Sequence, residues 1–169
     1  IKTPEEIAIL RVGGQHLAEV LYKVKEQVAP GVSTLDLDKY AEKLIRELGD
    51  IPAFLHYRPV GAKVPFPATL CTSVNEEVVH GIPSATKILK EGDIIAIDLG
   101  LQHKGLFTDM ALTVPVGEVS NSSKKLMKVT EQALAVGINA VTAGGRVGDI
   151  GHAIESFVRP HHYGIVEVL

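Results

Sequence analysis

The sequence holds one cysteine and no excess of positive charge, and both scarcities narrow what it can do. Cys71 alone cannot close an internal disulfide, which fits a reducing compartment such as the cytoplasm. Seventeen Lys and Arg stand against 20 Asp and Glu, a net charge of -3. Nothing there would hold a polyphosphate backbone, so nucleic acid is not expected as the main partner. No apolar run approaches the roughly 18–20 residues that a bilayer span needs, so no membrane association is expected. No secretory leader precedes Ile1, and an Ile in first place reads as a processed, trimmed or partial chain. Linkers, low-complexity segments and repeats are missing too, which leaves one expected domain over residues 1–169. What is present is ordinary for a folded protein: 46% hydrophobic and 22% charged residues, enough for a real core and against disorder.

Helices are expected first. Thr3-Pro4-Glu5-Glu6 is a start signal, with Thr3 as cap, Pro4 at the first helical position and Glu6 completing a capping box. Ile7, Leu10, Leu17, Leu21, Val24 and Val28 then recur at helical spacing until Pro30-Gly31. Gly13-Gly14 inside this run lowers local propensity and predicts close packing against another element. A second helix is predicted from Ser33 or Thr34 to Leu48, closed by Gly49. Short strands follow at Thr69–Val74 and Val78–Ile82, then two longer ones at Asp93–Gln102 and Leu106–Val116 joined by a tight hairpin. Further helices are expected from about Asn121 to Val141 and from Gly148 to Val158, with a last strand over Gly164–Leu169. Helices, then strands, then helices favour an α+β domain.

The hairpin carries the chemistry. With His103 and Lys104 as turn residues, Asp98 falls directly opposite Asp109, although a bulge at Gly105 would move the register. Ala96, Asp98 and Gly100 share one strand face and leave space over the carboxylate; Ile95, Ile97, Leu99 and Leu101 share the other, a core surface. Facing carboxylates repel by about 3 kcal/mol at about 5 Å and an effective dielectric near 20. A shared proton, a Lys or Arg, or a divalent cation would relieve that repulsion. The plain alternative is that both point into water on an open sheet face.

Longer segments resemble one family. Ile1-Lys2-Thr3-Pro4-Glu5-Glu6-Ile7, Pro30-Gly31-Val32-Ser33-Thr34, Val74-Asn75-Glu76-Glu77-Val78-Val79-His80-Gly81-Ile82-Pro83 and Glu91–Asp98 are similar to type I methionine aminopeptidases. The resemblance runs along the whole chain and implies the N-terminal half of the pita-bread fold, a curved antiparallel sheet with helices packed on one face. It implies removal of the N-terminal methionine from nascent polypeptides, using two divalent metal ions (Mn, Fe, Co or Zn). Asp98 and Asp109, eleven residues apart, match the family's chelating and bridging aspartates. His80 matches the histidine that hydrogen-bonds the substrate amide. Tyr57, Phe66 and Cys71, with Phe54, match the methionine pocket, and Asn75 lies where some members bind a monovalent cation. An extra stretch, Arg58–Pro65, separates Tyr57 from Phe66. A family histidine ligand in a Gly-rich motif and two glutamate ligands would follow beyond this sequence. The chain is therefore expected to carry part of a dimetal site and to be inactive alone, unless completed by a C-terminal half or a homodimer. The alternative is a non-catalytic pita-bread module that binds protein or peptide.

Other candidates weigh less. His152 with Glu155, and His161-His162, read as solvated polar groups rather than ligands; Cys71 shows no nucleophile constellation. Lys124, Lys125 and Lys128 read as solubilising charge. Gly144–Gly148 lacks the strand and lysine of a phosphate loop.

Overall fold

The capping box at Thr3 forms as its residue types dictate. In the computed structural model, which describes residues 1–166, the Thr3 hydroxyl accepts from the Glu6 amide at 3.2 Å. The Thr3 amide donates back to the Glu6 carboxylate at 2.9 Å. Helix α1 runs Pro4–Glu26 and ends two residues before the expected Val28, capped at Gln27. Helix α2, Thr34–Glu47, is capped by Ser33, whose hydroxyl accepts from the Asp36 amide at 3.1 Å. The chain groups into two compact units, Ile1–Val119 and Ser120–Leu169.

In the first unit one antiparallel sheet is built around β3, Ile94–His103. Strands β1, Ile51–Pro52, and β2, Leu70–Val74, share one edge of β3, and β4, Leu106–Pro115, pairs along the other. The period-two reading of β3 holds. Ile95, Ile97, Leu99 and Leu101 are fully buried and pack with Leu17, Leu21 and Val24 of α1 and with Leu37 and Ile45 of α2. Truncating one of these leucines to alanine would cost about 2–5 kcal/mol. Gly13 explains half of the Gly13-Gly14 expectation: a Cβ there would lie 3.1 Å from the His103 Cβ, so α1 sits close upon the hairpin. Nothing lies within 4 Å of the corresponding position at Gly14.

Three expectations need correction. The hairpin turn is Lys104-Gly105, not His103-Lys104, because His103 pairs with Leu106. Both turn residues have positive φ, 47° and 84°, the conformation that matches strand twist in a two-residue hairpin and that favours Gly in second place. Val78–Ile82 is not a strand. His80 is left-handed at φ 57°, which breaks an extended run, and Gly81 docks the segment on β2 instead. The two-residue β1 was missed because Ile51-Pro52 is too short to show alternation.

In the second unit, α3 is Asn121–Asn139, capped by Ser120, and α4 is Val147–Val158. Gly137 lets α4 approach, since a Cβ there would lie 2.8 Å from the Ile154 Cδ1. Val129, Ala133 and Val158 form a small core with Ile154, Phe157 and Tyr163. A 3-10 turn, Arg159–His161, ends α4. Of the expected last strand, Gly164–Val166 has no regular structure, and residues 167–169 lie outside the described residues.

Candidate metal and substrate site

The corrected turn moves the pairing of the two aspartates. Asp98 stands opposite Ala111, and Asp109 stands opposite Gly100. Asp98 and Gly100 are two apart on β3, so both carboxylates still leave the same face, as diagonal neighbours rather than a facing pair. On the other edge, Cys71 of β2 is the partner of Asp98. One sheet face thus carries the carboxylates and the thiol, and the opposite face carries the aliphatic core.

Burial raises the pKa of Asp98 above the ordinary carboxylate value; the charge of Asp109 raises it further, and the charge of His80 opposes the rise. Burial also raises Asp109. The Asp98 Oδ1 is buried with no hydrogen-bond partner. A buried, unpartnered carboxylate oxygen is costly in a folded protein, and a proton or a cation can satisfy it. The Cys71 thiol is pushed up to about 12, first by its burial and then by the charges of Asp98, Asp109 and Asp38. Burial and these charges disfavour its thiolate, which argues against a nucleophile.

His80 is held by the residue after it. The Gly81 carbonyl accepts from the Thr72 amide at 2.8 Å, and the Gly81 amide donates to the Ser73 hydroxyl at 3.2 Å. A Cβ on Gly81 would lie 2.2 Å from the Thr72 carbonyl oxygen, so only glycine permits this approach.

The aromatic wall is fixed from both ends. The Ala53 amide donates to the Gly100 carbonyl at 3.0 Å, which sets Phe54 over β3. The Phe66 amide donates to the Tyr57 carbonyl at 2.8 Å, and the His56 amide donates to the Phe66 carbonyl at 2.9 Å. The extra stretch Arg58–Pro65 therefore loops out from a closed neck, and Tyr57 and Phe66 stay neighbours despite it. A cavity of about 560 Å³ lies here, lined by Phe54, Tyr57, Phe66, Cys71, His80, Asp98 and Asp109. That is within the usual range of small-ligand sites. Pro59, Ala62, Val64, Pro65, Pro67 and Ile82 also line it and were missed. For all but Ile82 the only signal was a proline-rich loop, which says irregular backbone and not where it folds.

Asn75 is elsewhere. Its side-chain amide donates to Asp93 at 2.8 Å and its oxygen accepts from the Ile94 amide at 3.0 Å, so it ties the end of β2 to the start of β3. In the second unit, the Arg159 Nε donates to Glu155 at 2.8 Å, and the His161 ring lies 5.2 Å from that of Phe157. Both contacts are local.

Known proteins resemble this chain in sequence and fold. The profile of the family described as Metallopeptidase family M24 matches residues 8–168. Methionine aminopeptidase 1 of Bacillus subtilis is 41% identical over 165 residues, covering 98% of this chain and 64% of its own length. Methionine aminopeptidase of Aquifex aeolicus is 43% identical over 164 residues, 97% of this chain and 63% of its own. The crystal structure of methionine aminopeptidase from Rickettsia prowazekii superposes with a TM-score of 0.92 at 37% identity, covering 98% of this chain and 64% of that one. The chain thus spans just under two thirds of the length of these relatives, and the expected α+β pita-bread architecture is the one it shares with them. Among the described residues, no helix is long and apolar enough to cross a membrane.

Proposed function

The chain belongs to metallopeptidase family M24, and from that premise we propose that it carries the substrate pocket and part of the metal site of a methionine aminopeptidase. The observation that carries the reading is the buried, unpartnered Asp98 Oδ1, beside Asp109, in an otherwise apolar cavity. Asp98 and Asp109 would hold divalent cations, and their oxygen donors suit Mn²⁺, Fe²⁺, Co²⁺ or Zn²⁺. When bound, such ions supply a nucleophile at neutral pH and polarise the scissile carbonyl.

Phe54, Tyr57, Phe66 and Cys71 would take the methionine side chain, since aromatic and soft apolar groups suit a flexible thioether. His80 would hydrogen-bond the substrate amide next to the scissile bond. Two ions that each take five or six ligands need more donors than Asp98, Asp109 and His80 offer. The remaining donors would come from a C-terminal half or from a second copy of the chain. A monovalent cation near Asn75 would be held by main-chain carbonyls, because the Asn75 side chain is already engaged. The substrates would be nascent polypeptides, met in the cytoplasm.

The test is calorimetric binding of the tripeptide Met-Ala-Ser to the 169-residue chain with and without Mn²⁺. Binding that needs Mn²⁺, and that Asp109→Asn abolishes, supports the reading. Equal binding of Met-Ala-Ser and Lys-Ala-Ser overturns it.

A further inference from the structure

We propose that His16, Asp50 and His103 form a second metal site, for a divalent cation of borderline softness such as Zn²⁺. These residues are far apart in sequence and come from three places: α1, the turn between α2 and β1, and the end of β3. One imidazole nitrogen from each histidine and one carboxylate oxygen lie within 4.8 Å of one another. The His16 Nδ1 is 2.7 Å from one Asp50 oxygen, and the His103 Nδ1 is 2.6 Å from the other. The two rings meet edge to face with centroids 5.1 Å apart. None of the three lines the cavity around Asp98. His103 follows the parity of Leu99 and Leu101, so it leaves the helix-bearing face of the sheet and Asp98 the other.

The donor chemistry selects the ion. Two imidazole nitrogens and one carboxylate oxygen are a three-ligand set that suits Zn²⁺, Co²⁺ or Ni²⁺ better than Mg²⁺ or Mn²⁺. The Asp50 side chain is only 2% exposed, and among the described residues it has no lysine or arginine partner. Its two oxygens are met by the two imidazoles, each on a different oxygen. The His16 side chain is 25% exposed, which opens one side of the cluster to a fourth ligand from water. Gly13 makes the gathering possible: its missing side chain lets α1 reach the hairpin where His103 stands.

Loading the site would replace the two hydrogen bonds. Each nitrogen and its carboxylate oxygen, now at 2.7 and 2.6 Å, would spread to about 3.3 Å around an ion bound at about 2.1 Å. Each neutral imidazole would move its Nδ1 proton to Nε2, and an imidazolium would release one proton to solvent.

The experiment is equilibrium dialysis with Zn²⁺ on the full chain carrying Asp98→Asn and Asp109→Asn, which silences the other cluster. One equivalent of Zn²⁺ is expected, lost when His16→Gln and His103→Gln are added, with Mn²⁺ unable to replace it. Glutamine can still donate to Asp50, which spares the packing. On the unaltered chain, imidazole ¹⁵N spectra are expected to show the Nδ1 signals of His16 and His103 moving as Zn²⁺ is added. No Zn²⁺ on the Asp-substituted chain, Zn²⁺ retained after both glutamine changes, or unmoved Nδ1 signals would each overturn the proposal. Failure of Mn²⁺-dependent peptide binding would leave it intact, because that binding rests on the other residues.

Discussion

Gly100 stands directly opposite Asp109 across the β3–β4 ladder, so the Asp109 carboxylate leans over a residue that has no side chain. A Cβ at Gly100 would lie 3.2 Å from the Asp109 Oδ2, 3.1 Å from the Ala53 Cβ and 2.8 Å from the Phe54 ring. Gly100→Ala would push on the aromatic wall and the carboxylate at once. The expected outcome is a loss of about 1–3 kcal/mol in urea unfolding, from overpacking, together with weaker binding of Met-Ala-Ser. An unchanged affinity would separate Phe54 from the pocket.

The aspartate pair makes stability depend on pH in a definite direction. Burial holds Asp98 and Asp109 above their ordinary value of 3.8. Above that value the folded, metal-free chain retains protons that the unfolded chain has released, so stability falls as pH rises through the raised folded values. Asp98→Asn is expected to make the metal-free chain more stable at pH 7, with the advantage vanishing at pH 3. Urea midpoints at the two pH values measure it. A variant less stable at pH 7 would contradict the assignment of Asp98 as a buried, uncompensated charge.

Cys71 offers a chemical check on the same face. With its thiol pushed up to about 12, the folded chain is expected to resist iodoacetamide at pH 8 and to react promptly in denaturant. Alkylation of the folded chain at a rate near that of a free thiol would show that the pocket wall is open.

Gly81 is an exacting position because what it approaches is main chain. A Cβ there would lie 2.2 Å from a backbone oxygen, which cannot rotate away as a side chain can. Gly81→Ala is expected to cost about 3 kcal/mol or more, or to free the His80 segment from β2. Thermal unfolding distinguishes an intact from a lost anchor.

Local patterns carried much of this structure, and tertiary geometry carried the rest. The capping box at Thr3 and the cap at Ser33 were legible because capping is decided within four residues. The two faces of β3 were legible because its alternation is strict, and that placed Asp98 on the side away from the core. The register against β4 was off by two because it depends on which residues take positive φ at the turn, and Gly105 belongs in second place. Val78–Ile82 has the apolar character of a strand, but His80 turns left-handed and Gly81 spends its hydrogen bonds on Thr72 and Ser73. His16, Asp50 and His103 left no trace in sequence, since 34 and 53 residues separate the partners in their two hydrogen bonds.

The closed neck between Tyr57 and Phe66 has a consequence for how such a pocket can change. Because two main-chain hydrogen bonds seal the base of Arg58–Pro65, the rim is a cassette whose contents are uncoupled from the sheet. Doubling its length would cost only about 0.6 kcal/mol in loop closure. Residues such as Val64 and Pro65 can be exchanged to reshape what the cavity admits, while the carboxylates beneath keep their places.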